Sequence, residues 1–504
     1  MNRRNFLKIF ASSLAMGTVT GISNVVAGES WKNEFSKALK EKPWLLGYEG
    51  VSGDDFEETT LTQTGEIPDN LRGVLYRNGP AQHVVGDMRY HHWFDGDGLV
   101  NAFQFGDGGV THKGRFVRTA KFQSEAAAGH AIEQGFGTAL PSMRSPVNND
   151  AVNVANINVV THGGELLALW EGGSAYRLDP DTLETLGLKT WSAETKGLPF
   201  SAHPRRDVNG TLWNFGYATS FGALVIYQIG LQGNLKNVNL IKLPYSSMVH
   251  DFMITEKHLV FILPPFHHVS DRQGSFLDRF EWRPERGGVA LVVDKNDLSN
   301  VREIDIPPFW VFHFANAHDE PDGSIAFSCP MYQTPDVMTQ GFRNIMRGRD
   351  IGTVGSRFMS ARLHPIKGSF AYEEVPEAAA SEFPRIDDRS QGRRARFNFL
   401  MKSSGELSQA GFNRVCKLDQ ETGALTYFQF GPHEQAEEHV FVPDPRSDQE
   451  GQGWLVGTSL DFKKRRTSVN IFDAERLENG PMARYEASYP LPFGLHGNFV
   501  SKGS

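Results

Sequence analysis

The feature that most constrains the fold of this chain is a strand-turn-strand unit that recurs along it. From about residue 47 onward, short apolar or alternating runs are broken by Gly, Asp, Asn and Pro, a pattern typical of β-strands joined by tight turns. Clear turns lie at 105–108, 178–181, 230–233, 293–296, 365–368, 418–421 and 472–475. Turns roughly 50–75 residues apart are the spacing of propeller blades. The sequence therefore predicts an all-β chain, a seven-bladed β-propeller, with the hairpins of a large β-sandwich as the alternative.

Longer irregular insertions interrupt this pattern. They span 123–149, 265–286, 331–355 and 374–396, and they are too long for blade turns. In a propeller such excursions gather on one face and cover the axial cavity. We therefore expect a cap of loops and short helices over the centre of the ring.

Charge and cysteine content exclude several classes of protein. The chain of 504 residues has a net charge of -8, and no Lys/Arg cluster follows the first segment, so nucleic acid is not expected as a partner. Only Cys329 and Cys416 are present, which excludes a disulfide framework and a cysteine-rich metal site. Any metal has to be held by nitrogen or oxygen. The 36 phenylalanines suit a wide apolar core or an aromatic-lined cavity equally well.

The first segment has the layout of an export signal. Arg3-Arg4-Asn5-Phe6-Leu7-Lys8 precedes an apolar stretch that ends at Ala27, and the whole is similar to a twin-arginine signal. The alternative is a membrane anchor, but interspersed Ser, Thr, Gly and Asn make the stretch weakly apolar. We expect residues 1–27 to direct export to the periplasm and residues 28–504 to form one propeller domain.

Four histidines each fall in a separate strand-like unit: His203, His250, His313 and His496. A propeller brings the inner strands of distant blades to one axis, so single histidines far apart in sequence can converge there. Taken one at a time, each is better explained as a core or turn histidine with a satisfied hydrogen bond. The adjacent pairs 91–92 and 267–268 are competing candidates. Neighbouring strand residues point to opposite faces, however, so only one member of each pair could face a common centre.

Several motifs extend over nearly the whole chain after residue 27. They include Tyr76-Arg77-Asn78-Gly79-Pro80, His92-Trp93-Phe94-Asp95-Gly96-Asp97-Gly98, Leu169-Trp170-Glu171-Gly172-Gly173, Ser201-Ala202-His203-Pro204, Val249-His250-Asp251-Phe252, Phe312-His313, Glu382-Phe383-Pro384-Arg385, Glu438-His439-Val440-Phe441-Val442-Pro443 and Leu495-His496-Gly497. Together they resemble the carotenoid cleavage oxygenases, a family that also contains retinal-forming enzymes and a related retinoid isomerase.

The resemblance implies a metal site and a reaction. It implies one Fe(II) on the propeller axis, bound by His203, His250, His313 and His496. It also implies that Glu171 pairs with His250, Glu382 with His313 and Glu438 with His496. A carboxylate that accepts from the second ring N–H fixes the tautomer and improves the imidazole as a ligand. The expected reaction is cleavage by O2 of a conjugated C=C bond in a carotenoid or apocarotenoid, an apolar polyene, to aldehyde or ketone products.

The chain departs from the family at one position close to the expected metal. Where the family often has Asn-Thr-Asn, this chain has Asn156-Ile157-Asn158. The Ile157 side chain would bring a larger apolar group beside a vacant coordination position, which would narrow the space for dioxygen or substrate.

Three other functions remain open on the sequence. Lignostilbene-type enzymes of the family cleave phenolic stilbenes and hold the phenolate with a Lys in the segment matching 119–125. This chain has Gln123 at the position that resembles that of the Lys, with Lys121 close by. A propeller that binds apolar ligands without catalysis is disfavoured, because all the expected ligands are present. Isomerisation on the same iron scaffold is also compatible with the sequence.

An insoluble polyene has to be drawn from a bilayer or a carrier, which favours peripheral membrane contact through an apolar patch. The segment 126–141 is rich in small and apolar residues. We expect Ile132, Phe136 and Leu140 to form the patch, the alternative being a buried connector on the propeller rim.

Overall fold

The structure is a computed structural model that describes residues 30–352, 355–405 and 411–502. The predicted export signal lies outside these residues. Seven antiparallel sheets are arranged around one axis as blades, which confirms the predicted seven-bladed β-propeller. Contacts between first strands of successive blades place those strands at the centre.

Each blade is given from its central strand outward. Blade 1 contains Gly497–Ser501, Gly73–Gln82, Asp97–Gly106, Gly109–Phe116 and Phe56–Thr60. Blade 2 contains Asn158–His162, Glu165–Leu169, Tyr176–Leu178 and Thr185–Leu188. Blade 3 contains Arg205–Arg206, Leu212–Ala218, Ala223–Ile229 and Leu235–Lys242. Blade 4 contains Met253–Ile254, His258–Leu263, Gly288–Asp294 and Val301–Ile306.

The remaining blades follow the same order. Blade 5 contains Asn316–Asp319, Ile325–Met331, Arg357–His364 and Ser369–Glu374. Blade 6 contains Ser381–Arg385, Phe397–Lys402, Arg414–Asp419 and Leu425–Gln429. Blade 7 contains Glu434–Pro443, Gly453–Asp461, Arg466–Asp473, Ala483–Glu486 and Thr62–Gly65. Two further strand pairs lie outside the blades: Val84–Val85 with Met88–Arg89, and Phe266–His268 with Phe280–Trp282.

The ring is closed at two places by strands from opposite ends of the chain. Gly497–Ser501 pairs with Gly73–Gln82 as the central strand of blade 1. Thr62–Gly65 pairs with Ala483–Glu486 as the outer strand of blade 7. Because both closures are antiparallel backbone ladders, the two blades cannot separate without breaking several hydrogen bonds together.

All seven turns recognised in the sequence occupy the same place in their blades. Each joins the third strand to the fourth, for example between Asp97–Gly106 and Gly109–Phe116 in blade 1, and between Arg466–Asp473 and Ala483–Glu486 in blade 7. Between the blades, aromatic side chains pack face to face or edge to face. The rings of Phe399 and Phe441 stack with centroids 5.0 Å apart across blades 6 and 7.

Within the described residues helices are few and short. The α-helices there are Trp31–Glu41 (α1), Ala120–Ala128 (α2) and Phe342–Met346 (α3), the last preceded by a short π-helix at Val337–Gly341. The 3-10 turns are Pro43–Tyr48, Trp93–Asp95, Asn149–Val152, Ala193–Thr195, Thr219–Phe221, Leu277–Arg279, Pro284–Arg286, Pro376–Ala378, Asp388–Ser390 and Leu477–Asn479. Among the described residues no helix combines the length and the apolar character needed to span a bilayer.

Three of the four predicted insertions meet in the cap. The backbone of Leu277 donates to Phe136 at 2.8 Å, and Arg343 donates to Gly137 at 3.1 Å and to Asp278 at 2.8 Å. Segments 123–149, 265–286 and 331–352 are thereby tied together.

The prediction that 374–396 is an irregular insertion is wrong. This segment contains Ser381–Arg385, the central strand of blade 6. Its register shifts between Glu382 and Arg385, and Pro384 and two charged residues mask the alternation by which a strand is normally recognised.

The apolar segment 126–141 is not an exposed patch. Phe136 is buried, with its ring centroid 5.1 Å from that of His92 and 5.8 Å from that of Phe276. Ile132 and Leu140 are half-buried. The expectation that these three side chains form a membrane-docking surface is wrong for Phe136, because the neighbouring insertion covers it.

Replacing Phe136 by Ala should lower the free energy of unfolding by about 3 kcal/mol, because a buried aromatic contact is lost and a cavity is left. Urea unfolding followed by tryptophan fluorescence measures the change. Ala127→Ser, on the exposed face of α2, is the control and should change the free energy by less than about 0.5 kcal/mol. Equal midpoints for the two variants would contradict the packing role of Phe136.

Candidate metal centre

The four histidines singled out in the sequence meet on the propeller axis. Each lies immediately before or close to the start of a central strand: His203 in blade 3, His250 in blade 4, His313 in blade 5 and His496 in blade 1. All four are buried. The turn into the central strand therefore delivers one imidazole from each of these blades to the centre of the ring.

The ring nitrogens of the four histidines face one another. The Nε2 atoms of His203 and His250 are 3.0 Å apart, and those of His313 and His496 are also 3.0 Å apart. Ligand atoms from His203, His250 and His313 lie within 4.8 Å of one another. The ring centroids of His203 and His496 are 4.8 Å apart.

Three of the imidazoles are held from behind by carboxylates. His250 Nδ1 lies 2.6 Å from Glu171, His313 Nδ1 lies 2.6 Å from Glu382, and His496 Nδ1 lies 2.9 Å from Glu438. These are the three pairs expected from the sequence. His203 has no carboxylate partner in the part of the chain that the structure describes.

The carboxylate pairs decide where the protons lie. A carboxylate accepts, so Nδ1 of His313 and of His496 carries the proton and each Nε2 presents a lone pair. Two lone pairs that face each other at 3.0 Å repel unless a cation or a proton lies between them. The donor set therefore fits a metal ion that binds neutral imidazole.

The electrostatics of the cluster favour neutral rings at two of its members. Burial lowers the pKa of His203 well below its ordinary value, and the neighbouring imidazoles lower it further. Burial also lowers the pKa of His496 to about 3, against the opposite effect of Glu438. For His250, burial alone lowers the pKa, but the Glu171 carboxylate and other nearby acids raise it overall.

The carboxylates are themselves fixed by partners that the sequence did not indicate. Tyr217 donates to Glu171 at 2.8 Å, and Tyr332 donates to Glu382 at 3.1 Å. Neither tyrosine lies in a motif quoted above, so no sequence signal pointed to them. The second carboxylate oxygen of each glutamate is thereby occupied, which leaves the first to the imidazole.

Glu438 is held by cations instead. Arg385 donates to it at 2.9 Å and Arg77 at 3.4 Å. Burial by itself raises the pKa of Glu438, but Arg385, His496 and Arg77 outweigh it and hold the pKa well below the usual range. Both arginines stand in quoted motifs, so a signal for them was present.

A second ion pair links three of the histidine segments. The Asp251 carboxylate accepts from Arg205 at 2.5 Å and from the backbone of Phe314 at 2.9 Å. Arg205 also donates to the Phe314 carbonyl at 3.0 Å. These residues neighbour His203, His250 and His313, so one salt bridge ties the central turns of blades 3, 4 and 5 together.

The competing histidines lie elsewhere. His92 Nε2 donates to the Met338 carbonyl at 2.8 Å, since its Nδ1 accepts from Phe94. His91 stacks on Trp31, and His267 stacks on Tyr245. These rings pack in the cap and do not join the axial cluster.

Two cavities of different character meet at the histidines. On the cap side, a cavity of about 470 Å³ is lined mainly by aromatic and aliphatic side chains, among them Phe312 and Phe383, together with three of the histidines. On the other side, a chamber of about 630 Å³ is lined by polar groups such as Arg205, Asp251 and Arg385. The cluster therefore lies between an apolar cavity and a polar one.

Ile157 lines the apolar cavity with His250, His313 and His496. It is buried, and its carbonyl accepts from the backbone of His496 at 3.1 Å. The backbone of Ile157 is thereby fixed beside His496, and Ile157 forms part of the apolar lining.

The segment 119–125, considered above for phenolate binding, includes the start of α2. Gln123 is exposed on α2 and donates to the Arg118 carbonyl. Lys121 is buried instead, and its ammonium donates to the Tyr90 hydroxyl at 2.7 Å, to Asp97 at 3.1 Å and to Glu125 at 3.0 Å. Lys121 therefore points inward and Gln123 outward, because positions two apart on a helix point in different directions.

Comparison with known proteins agrees with this geometry. A family model described as retinal pigment epithelial membrane protein matches residues 52–501. Apocarotenoid-15,15'-oxygenase of Synechocystis is 30% identical over 485 residues, which cover 92% of this chain and 97% of that protein. Lignostilbene-alpha,beta-dioxygenase isozyme III of Sphingomonas paucimobilis is 30% identical over 478 residues, covering 89% and 94%.

Solved structures show the same architecture. The crystal structure of cobalt-substituted Synechocystis apocarotenoid oxygenase superposes with a TM-score of 0.83 at 27% identity, covering 92% of this chain and 99% of that one. These likenesses define a class, the oxygenases built on a seven-bladed propeller. The chain belongs to the retinal pigment epithelial membrane protein family, the family of the carotenoid cleavage oxygenases.

Replacing Glu382 by Gln should weaken metal binding by roughly 10–100-fold, because a neutral amide orients the His313 ring less firmly and makes it a poorer donor. Titration of the metal-free protein with Fe(II) or Co(II), followed spectroscopically, measures the affinity. Glu373→Gln, on the exposed outer strand of blade 5, should bind metal like the parent protein. Similar affinities in the two variants would show that Glu382 does not support the site.

Proposed function

We propose that this chain is an iron(II)-dependent dioxygenase that cleaves one conjugated C=C bond of a carotenoid or apocarotenoid. The observation that carries the proposal is the cluster of four buried imidazoles at the end of an apolar cavity. Each carbon of the broken double bond takes one atom of O2, so two carbonyl products form and no external reductant is needed. The similarity to an apocarotenoid-15,15'-oxygenase supports this substrate class.

We propose one iron(II) per chain, held by His203, His250, His313 and His496. Four neutral nitrogen donors suit iron(II) and leave its charge uncompensated. When bound, iron(II) supplies the one-electron chemistry that dioxygen, a triplet molecule, needs in order to react. The three glutamates, acting through His250, His313 and His496, keep the donor rings in one tautomer and one orientation.

The chain also has to position the polyene and to keep water away from it. The apolar cavity is lined by aromatic rings, including those of Trp93, Phe94 and Phe342, which can hold a flat polyene by its faces. A fixed polyene presents one double bond to the metal centre, and this alignment is worth several orders of magnitude in rate. Water is excluded by the same apolar lining.

Stilbene cleavage is a second candidate, and two observations favour it. The similarity to a lignostilbene dioxygenase is as high, at 30% identity. Lys121, in the segment where that branch uses a Lys, forms a buried pair with Tyr90. Two carboxylates also bind this ammonium. A phenolate would therefore have to compete with Asp97 and Glu125 for Lys121, which disfavours this candidate.

Iron-loaded protein incubated with β-carotene, apocarotenals and hydroxystilbenes should convert an apocarotenal or carotenoid to two carbonyl products, identified by mass. Labelled dioxygen should place one heavy atom in each product. Cleavage confined to hydroxystilbenes would favour the second candidate. A change of double-bond geometry without added oxygen would identify an isomerase, and binding without turnover would identify a non-catalytic propeller.

His203→Ala and His313→Ala should each lose most of the bound iron and all measurable turnover, because a site of four weak neutral donors fails when one is removed. Metal analysis and product assays check both effects. His130→Ala, an exposed histidine on the loop after α2, is the control and should keep both. Full iron content in either axial variant would show that the wrong histidine was assigned.

We propose that residues 1–27 direct export to the periplasm and that the mature protein contacts membranes peripherally. The paired arginines ahead of an apolar stretch support export, and the insolubility of a polyene supports membrane contact. Co-sedimentation with lipid vesicles tests the contact, and absence of the protein from the vesicle pellet would argue against it.

Changing Arg3 and Arg4 together to Lys should leave the protein in the cytoplasm, because twin-arginine export depends on that pair. Cell fractionation followed by immunoblotting measures the distribution. Lys8→Arg, which keeps the charge outside the pair, is the control. Normal export of the double variant would contradict a twin-arginine signal.

A further inference from the structure

Tyr48 occupies a fixed place in the wall of the apolar cavity. It ends the 3-10 turn Pro43–Tyr48 and is only 5% exposed. Its ring meets the rings of Trp93 and Phe493 edge to face, with centroids 5.2 Å and 5.1 Å apart. Both of these rings also line the cavity, so Tyr48 belongs to one aromatic wall.

The backbone around Tyr48 is held equally firmly. Its carbonyl accepts from Arg89 at 2.5 Å, and the backbone of Phe493 donates to the Gly47 carbonyl at 2.8 Å. A Cβ atom at Gly47 would lie 2.2 Å from the Phe493 ring, so only glycine allows this approach. The Tyr48 ring therefore has little freedom to turn its hydroxyl elsewhere.

Among the described residues no hydrogen-bond partner is found for the Tyr48 hydroxyl, and Tyr48 lines the cavity. Tyr332, which also lines the cavity, differs because its hydroxyl donates to Glu382. An unbonded polar group in an apolar wall costs free energy. A phenylalanine in place of Tyr48 would fill the same space without this cost. A ligand that accepts from the hydroxyl would remove this cost.

The surroundings define what such a ligand can be. Glu437 lies close enough for its charge, added to the larger effect of burial, to raise the pKa of Tyr48 above its ordinary value. The phenol is therefore a proton donor throughout the physiological range. Glu437 accepts from Gly494, Thr458 and Arg77, and it acts on Tyr48 through its charge. A nearby negative charge disfavours a carboxylate or phenolate and leaves a neutral oxygen as the suitable acceptor.

We propose that Tyr48 is a specificity-determining residue that donates a hydrogen bond to a neutral oxygen of the substrate, a carbonyl or a hydroxyl. The inference rests on the proposed function and narrows it to polyenes that already carry an oxygen function, such as apocarotenals. A reaction that oxidises or cleaves a hydrocarbon carotenoid would then have to precede this one.

The test compares the parent protein with Tyr48→Phe, which removes one oxygen atom. Two substrates are used: an apocarotenal, and the hydrocarbon with the same polyene ending in a methyl group. The ratio of kcat/KM for the aldehyde to kcat/KM for the hydrocarbon should fall about 3- to 10-fold, the size of one hydrogen bond. Most of the change should lie in KM, because the bond is made in the bound state as well as in the transition state.

Tyr245→Phe is the matched control. Its hydroxyl donates to the Leu263 carbonyl and it does not line the cavity, so the substrate ratio should stay at the parent value. The melting temperature of Tyr48→Phe should not fall, because no protein hydrogen bond is lost. An unchanged substrate ratio in Tyr48→Phe would overturn the proposal, and so would an equal loss for both substrates.

A binding measurement separates this inference from the proposed function. The absorbance shift of each polyene on titration with iron-loaded protein gives a Kd without any turnover. If the parent protein binds both polyenes but cleaves neither, the proposed function fails. The Tyr48 inference would then stand if Tyr48→Phe still weakened binding of the aldehyde relative to the hydrocarbon, and would fall if the Kd ratio were unchanged.

Discussion

The structure depends on the burial of four imidazoles whose nitrogen lone pairs point at a common centre. Such an arrangement repels itself unless a cation or a proton lies between the nitrogens, and it needs firm support from behind. Glu171, Glu382 and Glu438 provide that support through hydrogen bonds of 2.6–2.9 Å. Because the carboxylates are buried too, they require hydrogen-bond donors of their own. Tyrosine hydroxyls, arginine side chains and backbone amides supply these donors.

This requirement explains why the whole ring takes part in the site. Blades 3, 4, 5 and 1 supply the histidines, and blades 2, 6 and 7 supply the glutamates. Removing any blade would remove either a donor or its support. The double closure of the ring has the same consequence, since the C-terminal strand that seals blade 1 begins directly after His496. The strands that close the ring therefore also hold the histidines in position.

How much could be predicted depended on whether the signal was local. The seven turns carry their own chemistry in Gly, Asp, Asn and Pro, so the propeller was predicted correctly. The central strand of blade 6 was missed because functional side chains replaced the usual alternation. Tyr217 and Tyr332 were missed because a tyrosine that supports a carboxylate looks like any core tyrosine. Which of Lys121 and Gln123 points inward depends on where the helix begins, and Phe136 was expected at the surface because its covering segment lies far away in the chain.

The sequence by itself determined the family, the blade repeat and the short list of histidines and glutamates, because motifs and turn residues act over a few positions. The role of those histidines as iron ligands stays a prediction. Only the tertiary structure decided which of the histidines meet, which carboxylate faces which ring, and which side of the histidine cluster has an apolar lining. It also decided that the Tyr48 hydroxyl, in an aromatic wall, forms no hydrogen bond with the residues that the structure describes. Those outcomes depend on residues hundreds of positions apart, and contacts at that range leave no periodic trace in a single sequence.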